Sequence, residues 1–421
     1  ESIEDSLLAL ANTHKRWLLI LDNADDPKLD YTRYLPSGVE GTVIITSRVP
    51  QCRQYSTVPT EALEGLSTED SVRLLLRAAQ VPEEQQPSCD KNAQEIVRLL
   101  GSHTLALIQA GAYIAEGYCR LDRYAEKYQR QRKRQLEHYP DQEQSRYRDV
   151  YATFEASADV LIRDKAGRDA LDLLGILAML HSSVLPLEVF ADAWQGTVQA
   201  REIEITGSHD VDTVGHWHVS QIPEFMEGQA NEWDDYRLRK ASALLTSLSL
   251  VTRYASGGLD GLSMHPLAHA WARDRLQKAQ QERAWVSAGC VLALSRGHTR
   301  TWQVHEREMR PHVQTFLTLG VDMAFSFGPQ KEVLAILLKC GWALNTMRED
   351  VRLEALLIDI YAELEVSPEN PAEEYMTMWE LAGRNTGYMG HVRETVLLLE
   401  HIVKFRETTL AETHPSRLAS Q

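Results

Sequence analysis

The stretch Arg16 to Asp26, RWLLILDNADD, decides how the chain is read. Trp17 through Leu21 are apolar without a break, and Asp22, Asn23, Ala24, Asp25 and Asp26 follow. A short continuous apolar run closed by polar residues is the pattern of a strand buried on both faces of a parallel sheet. Ligands of such sheets bind beyond the carboxyl ends of the strands, so this strand carries acid to the place where binding happens. Asp22 is therefore a candidate to hold Mg2+ through water while a nucleotide's phosphates supply other oxygens. The phosphate-cradling sequence that would complete such a site, G-x-x-x-x-G-K followed by Ser or Thr, is missing. No Gly-Lys pair occurs among the 23 glycines.

Working outward, IEDSLLALAN (3–12) has helical spacing and is expected to pack beside the first strand. YLPSGVEG is a turn-rich loop broken by Pro36, Gly38 and Gly41, and TVIITSR (42–48) is a second, β-branched strand. Two strands joined by about twenty residues have the rhythm of a parallel α/β sheet. Arg48 then ends its strand on the same edge as Asp22, where a guanidinium can read a terminal phosphate bidentately. Solvated loops also end strands in charge, so the residues alone leave a nucleotide site and a look-alike both open.

Beyond residue 66 the β pattern nearly stops. Ser67 should cap a helix with Asp70 three residues on, a helix over 90–101 should end at Gly101, and another should span 104–117. Residues 120–150 form a long polar helical region interrupted at Pro140. A hydrophobic helix over 169–181 and LPLEVFADAW open a third region, and 196–232 reads as a polar surface insertion. Tyr236 to Leu276 predicts a helix, a hairpin around Gly257-Gly258 and a helix, the pattern of a winged helix-turn-helix. The remainder is helical, punctuated by Pro311, Gly328-Pro329 and VSPENPAEE. Its end pairs two helices around Gly387–Gly390, and His414-Pro415 turns towards another: one helical-hairpin repeat and the start of a second.

Composition bounds the class. A chain of 421 residues exceeds one ordinary core, so several domains are expected. A formal charge of −16 argues against a surface built for nucleic acid. Five scattered cysteines with no C-x-x-C predict free thiols in a reducing, cytoplasmic setting. No apolar run approaches the ~20 residues that span a bilayer, so no membrane partner is expected. A start at Glu1, within a helical pattern and without a methionine or signal peptide, reads as a fragment.

Five stretches together resemble the distal part of an NB-ARC module, the switch ATPase of the STAND class. WLLILDNADD is similar to its Walker B strand and GTVIITSR to the sensor strand that follows. EALEGLSTEDSVRLL matches the segment closing the nucleotide domain, and LLGSHTLALIQAGAYI the Gly-Leu-Pro-Leu motif of the helical subdomain. LSMHPLAHAWARDRL matches the Met-His-Asp motif. The likeness is strongest to fungal NLR-like proteins with C-terminal tetratricopeptide repeats, and it places the P-loop upstream of Glu1.

The fold class implied is α/β followed by all-α: the end of a parallel-sheet P-loop domain (1–82), a helical subdomain (83–150), a winged-helix domain with the polar insertion (151–280), a helical linker region (281–365) and the start of the repeats (366–421). The implied function is an ADP/ATP-dependent signalling switch, of the kind found in innate immunity, with Mg2+ in the intact protein. By resemblance Asp22 holds magnesium, Arg48 feels the γ-phosphate and His265 reaches the β-phosphate of ADP. Thr104 stands in the place of the proline that packs on adenine, and Pro266 in the place of the aspartate of Met-His-Asp. Asn23 replaces the second acid. An amide cannot take a proton near neutral pH, so the expected ATPase is slow at most, and this chain alone inactive. A protein or peptide ligand on the repeats and oligomerisation on activation are the implied partnerships.

Two other functions compete: a non-catalytic interaction scaffold with a decayed nucleotide site, and a winged-helix transcription regulator using Arg237, Arg239 and Lys240. The acidic chain and the apolar set Leu244, Leu245, Leu248 speak against DNA. His265 and His269 have the i, i+4 spacing of metal ligands, but Pro266 fills the catalytic glutamate's place and suits a first helical turn instead. His216–His218 read as solvated loop, the basic run Arg130, Arg132, Lys133, Arg134 as a solvated helix face, and Trp379, Leu381 and Tyr388 as hairpin core.

Overall fold

The computed structural model describes residues 3–22, 24, 26, 29–37, 41–47, 50–58, 66–138, 148–206, 210–226, 232–296 and 299–409. The chain divides into two compact units, Glu1–Gly65 and Leu66–Gln421. It is mostly helical, with a small parallel sheet and a helical repeat-like region.

In the first unit α1 (Ile3–Ala11) precedes β1 (Trp17–Leu21), and β2 (Gly41–Ile45) pairs with β1 in parallel. The register runs from Trp17 opposite Gly41 to Leu21 opposite Ile45. A glycine is needed at 41, because a Cβ there would stand 2.0 Å from the Trp17 ring. Full burial of β1 does not hold. Leu18 and Ile20 are 57% and 56% exposed, and Ile44, opposite Ile20, is also exposed. Successive side chains of a strand point to opposite faces, and a parallel pair hides both only where something packs on both. α1 forms where expected but contributes no fully buried residue.

The second unit opens with α2 (Thr68–Ala78), whose N-cap Ser67 accepts from the Asp70 N–H at 3.0 Å. α3 (Gln86–Leu99) starts four residues before the expected position because Pro87 pre-sets its first turn. Then come α4 (Thr104–Ala115), α5 (Leu121–His138), α6 (Arg148–Leu161) and α7 (Lys165–Met179). Pro140 lies outside the described residues. β3 (Leu185–Pro186) leads into α8 (Glu188–Thr206) and the short α9 (His216–Ser220).

The stretch expected to be a polar surface insertion is partly core. α8 runs through Gly196, where a Cβ would stand 2.2 Å from the Leu294 carbonyl, and His218, Phe225 and Met226 are buried. The low average hydropathy of 196–232 hides a few apolar anchors, such as Phe225 edge-on to Phe190 at 5.8 Å.

α10 (Tyr236–Ser247) is followed by β4 (Thr252–Ser256), β5 (Leu259–Ser263) and α11 (Pro266–Asp274). The hairpin turns on Gly257 and Gly258 at φ +62° and +84°, a conformation that two-residue loops require. β5 lies between β4 and β3, antiparallel to both. α12 (Lys278–Ser295) is buried at every position from Trp285 to Ser295. α13 (Thr299–Val304), α14 (Glu306–Phe316), α15 (Val321–Phe325), α16 (Gln330–Thr346), α17 (Asp350–Leu364), α18 (Met376–Met389) and α19 (Val392–Thr409) complete the unit. Pro311 does not punctuate, since it sits inside α14. His414-Pro415 falls outside the described residues.

Candidate functional site

In-register parallel pairing brings the carboxyl ends of β1 and β2 to one rim. The pairing continues past both strands: Thr46 N–H donates to the Leu21 carbonyl at 2.9 Å and Ala24 N–H to the Thr46 carbonyl at 2.8 Å. Ala24 is buried, and its own carbonyl accepts from the Ser47 hydroxyl at 2.6 Å and from the Cys52 thiol at 3.2 Å. This folded-down loop leaves Asp22 exposed at the tip of β1. The Thr46 hydroxyl donates to Asp22 Oδ1 at 2.5 Å, fixing the carboxylate plane. Thr46 was not singled out from sequence; its position one residue past β2, level with the acid past β1, is the signal. Arg48 and Asn23 lie outside the described residues.

Behind the tip, polar bonds join several of the described residues. Asp26 N–H donates to the Tyr31 hydroxyl at 3.0 Å, and the buried Tyr31 meets Tyr55 edge-on at 5.9 Å. Asp30 caps the turn over Tyr31–Tyr34 by accepting from Thr32 N–H at 3.0 Å. Those Thr32 bonds hold its carboxyl below the usual carboxylate range. The hard oxygen donors at this rim, Asp22, Thr46 and Ser47, are of the type that suits Mg2+.

In the second unit the remaining candidates sit at helix starts. Thr104 is the exposed first residue of α4, with His103 at the N-cap position. His265 is the N-cap of α11: its Nδ1 accepts from Leu267 N–H at 3.1 Å, so the neutral ring carries its proton on Nε2. Pro266 takes the first helical position, where its missing N–H costs nothing. Partial burial, then the neighbouring His103, pushes the His265 pKa down.

α6 holds both helices. Gln109 of α4 donates to Ser157 at 2.7 Å in the core, while Glu155 accepts from Trp271 at 3.1 Å and from Arg275 at 3.0 and 3.3 Å on α11. A helix N-terminus carries a positive dipole end, which attracts negative charge.

The other candidates separate. His269 bonds the Leu180 carbonyl at 2.8 Å while His265 caps its helix, and no cluster of three metal-ligating side chains exists among the described residues. His218 is fully buried rather than solvated: its Nδ1 accepts from Gly215 N–H at 3.1 Å and Nε2 meets the Glu332 carbonyl at 2.9 Å. Arg237 turns inward and forks onto the buried Asp169 at 2.9 and 2.6 Å, with a further bond to the Glu224 carbonyl. Arg239 pairs with Asp235 at 2.5 Å on its own helix. A DNA-reading face built on Arg237 is therefore not what α10 presents. Trp379 and Leu381 are fully buried as expected, but Tyr388 is 54% exposed beneath Arg348, 4.0 Å above its ring.

No family model matches the chain. The architecture is mostly helical, with a small parallel sheet and a repeat-like helical region. Over 135 residues, 28% of this chain, it is 30% identical to a nucleotide-binding leucine-rich repeat (NLR)-like protein of Hyaloscypha variabilis. The match spans 13% of that relative's length.

Proposed function

We propose that the protein to which this chain belongs is an ADP/ATP-dependent signalling switch of the NB-ARC/STAND class, whose repeat-like helices sense a protein or peptide. The observation that carries this reading is the Asp22 carboxylate, oriented by Thr46 at the carboxyl ends of two adjacent parallel strands. The partial similarity to an NLR-like protein supports it, as does the helix–hairpin–helix order from α10 to α11.

In this reading Asp22, oriented by the Thr46 hydroxyl, would hold magnesium through water. Arg48 reads the γ-phosphate, and His265 donates its Nε2–H to the β-phosphate while Nδ1 stays on the backbone. Thr104 would stand beside the base. Gain or loss of a phosphate would change the charge that such groups face, and differential interaction of that kind is what biases a two-state switch. With an amide at Asn23 the switch is set by exchange rather than by rapid hydrolysis.

The test is calorimetry on the full-length gene product. Asp22→Ala should weaken Mg2+-dependent ATP binding at least tenfold and leave Mg2+-free binding unchanged. Equal magnesium dependence in the two proteins would overturn the assignment.

A further inference from the structure

The turn joining α7 to β3, Leu180 to Val184, is held at both ends by imidazoles from other elements. His269 of α11 bonds the Leu180 carbonyl at 2.8 Å, and His312 of α14 donates its Nε2–H to the Val184 carbonyl at 3.0 Å. Met264, just past β5, donates its N–H to the Ser182 carbonyl at 2.9 Å. The turn itself carries His181, whose Nδ1 accepts from Ser183 N–H at 3.1 Å and whose ring meets that of His312 at 6.3 Å.

The two holding imidazoles differ. His312 is fully buried, and its Nδ1 has no hydrogen-bond partner. A proton arriving at Nδ1 would create a buried donor without an acceptor beside two further imidazoles. His269 is only partly buried; that burial lowers its pKa, while the carbonyls of Leu180 and Leu177 work against the shift by favouring the protonated ring. The groups acting on His312 by charge are His181 and His269, and Arg273 adds positive charge near His269. Several other ionisable groups of α14 and the elements around it are engaged elsewhere: His305 with Glu188, Arg310 with Glu306 and Glu349, Lys331 with Glu374, Glu332 with His218, Lys339 with Asp212; α14 also carries the exposed Arg307 and the half-buried Glu308.

We propose that His312 and the Leu180–Val184 turn form an acid-sensitive clasp that fastens α14 to the β3–β5–β4 sheet and opens when the His312 ring takes a proton. His269 is the fixed half, which keeps the turn on α11. Burial depresses the His312 pKa to about 4, so the clasp is closed at neutral pH. The proposal is independent of the nucleotide reading.

Hydrogen exchange followed by mass spectrometry, corrected for intrinsic rates, tests it on the whole chain between pH 7 and 4.5. Peptides covering 180–184 and 306–316 should lose protection at least tenfold more than peptides from α12. In His312→Gln the amide still donates to Val184 but cannot titrate, so this extra loss should vanish, while His269→Gln should keep it. An unchanged profile in His312→Gln overturns the clasp. If that variant fails to fold, an imidazole titration of the wild type by NMR decides: a His312 midpoint near the ordinary value overturns the proposal, and one well below it supports it.

Discussion

Single side chains decide the fate of two sequence expectations here. Arg237 looks from its spacing like a recognition-helix cation, but its guanidinium closes a fork on Asp169, whose side chain is 6% exposed. Arg237→Ala would leave that carboxylate buried and unpaired, a loss of roughly 3–5 kcal/mol for a buried pair and somewhat less here because the arginine is partly solvated. Urea unfolding should show a clear drop in midpoint, and duplex binding at low salt should be absent before and after the change. A measurable duplex affinity lost on Arg237→Ala without loss of stability would restore the DNA reading. His265, in contrast, caps α11, a role its sequence context did not announce. Its Nδ1 serves the helix start and its Nε2–H is left for a ligand.

At the level of elements, the hairpin between β4 and β5 was legible in the sequence because only glycine adopts positive φ at no cost. Gly257→Asn should leave thermal stability within a few tenths of a kcal/mol, since asparagine tolerates the left-handed region. Gly258→Val at φ +84° should cost at least about 1–2 kcal/mol and lower the unfolding midpoint. Equal midpoints for the two variants would contradict the turn assignment. The strands β1 and β2 were equally legible from their apolar, β-branched runs, but the exposed side of Leu18, Ile20 and Ile44 was not. Continuous hydrophobicity tells that both faces want cover and says nothing about whether cover is present. The stretch 196–232 failed for the opposite reason: averaging over a polar window erases the few residues, His218, Phe225 and Met226, that enter the core.

For the molecule as a whole, pH dependence follows from buried imidazoles. His312 has a folded pKa of about 4 against an unfolded value near 6.5. The unfolded chain binds the proton more readily, so its contribution is complete above about pH 6.5 and is lost as pH falls towards 4. The full span amounts to roughly 3 kcal/mol, and burial of His218 and His269 adds in the same direction. Chemical denaturation should therefore give a lower midpoint at pH 5 than at pH 7, with His312→Gln flattening the difference. A midpoint that does not move would show that these rings titrate normally in the folded chain.

The sequence by itself determined the elements whose signals are local: the two strands, expected over 17–21 and 42–48 and found over 17–21 and 41–45, the Ser67 cap, the glycine hairpin and the C-terminal helices. Backbone conformation and apolar periodicity are properties of a few neighbouring residues and survive without knowledge of the fold. Tertiary structure alone decided which polar groups meet. Thr46 on Asp22, Arg237 on Asp169, Glu155 on Arg275 and His312 on Val184 join residues 24 to 128 positions apart. Such pairings depend on how elements pack, because a charge or imidazole is equally content in water until burial forces it to find a partner.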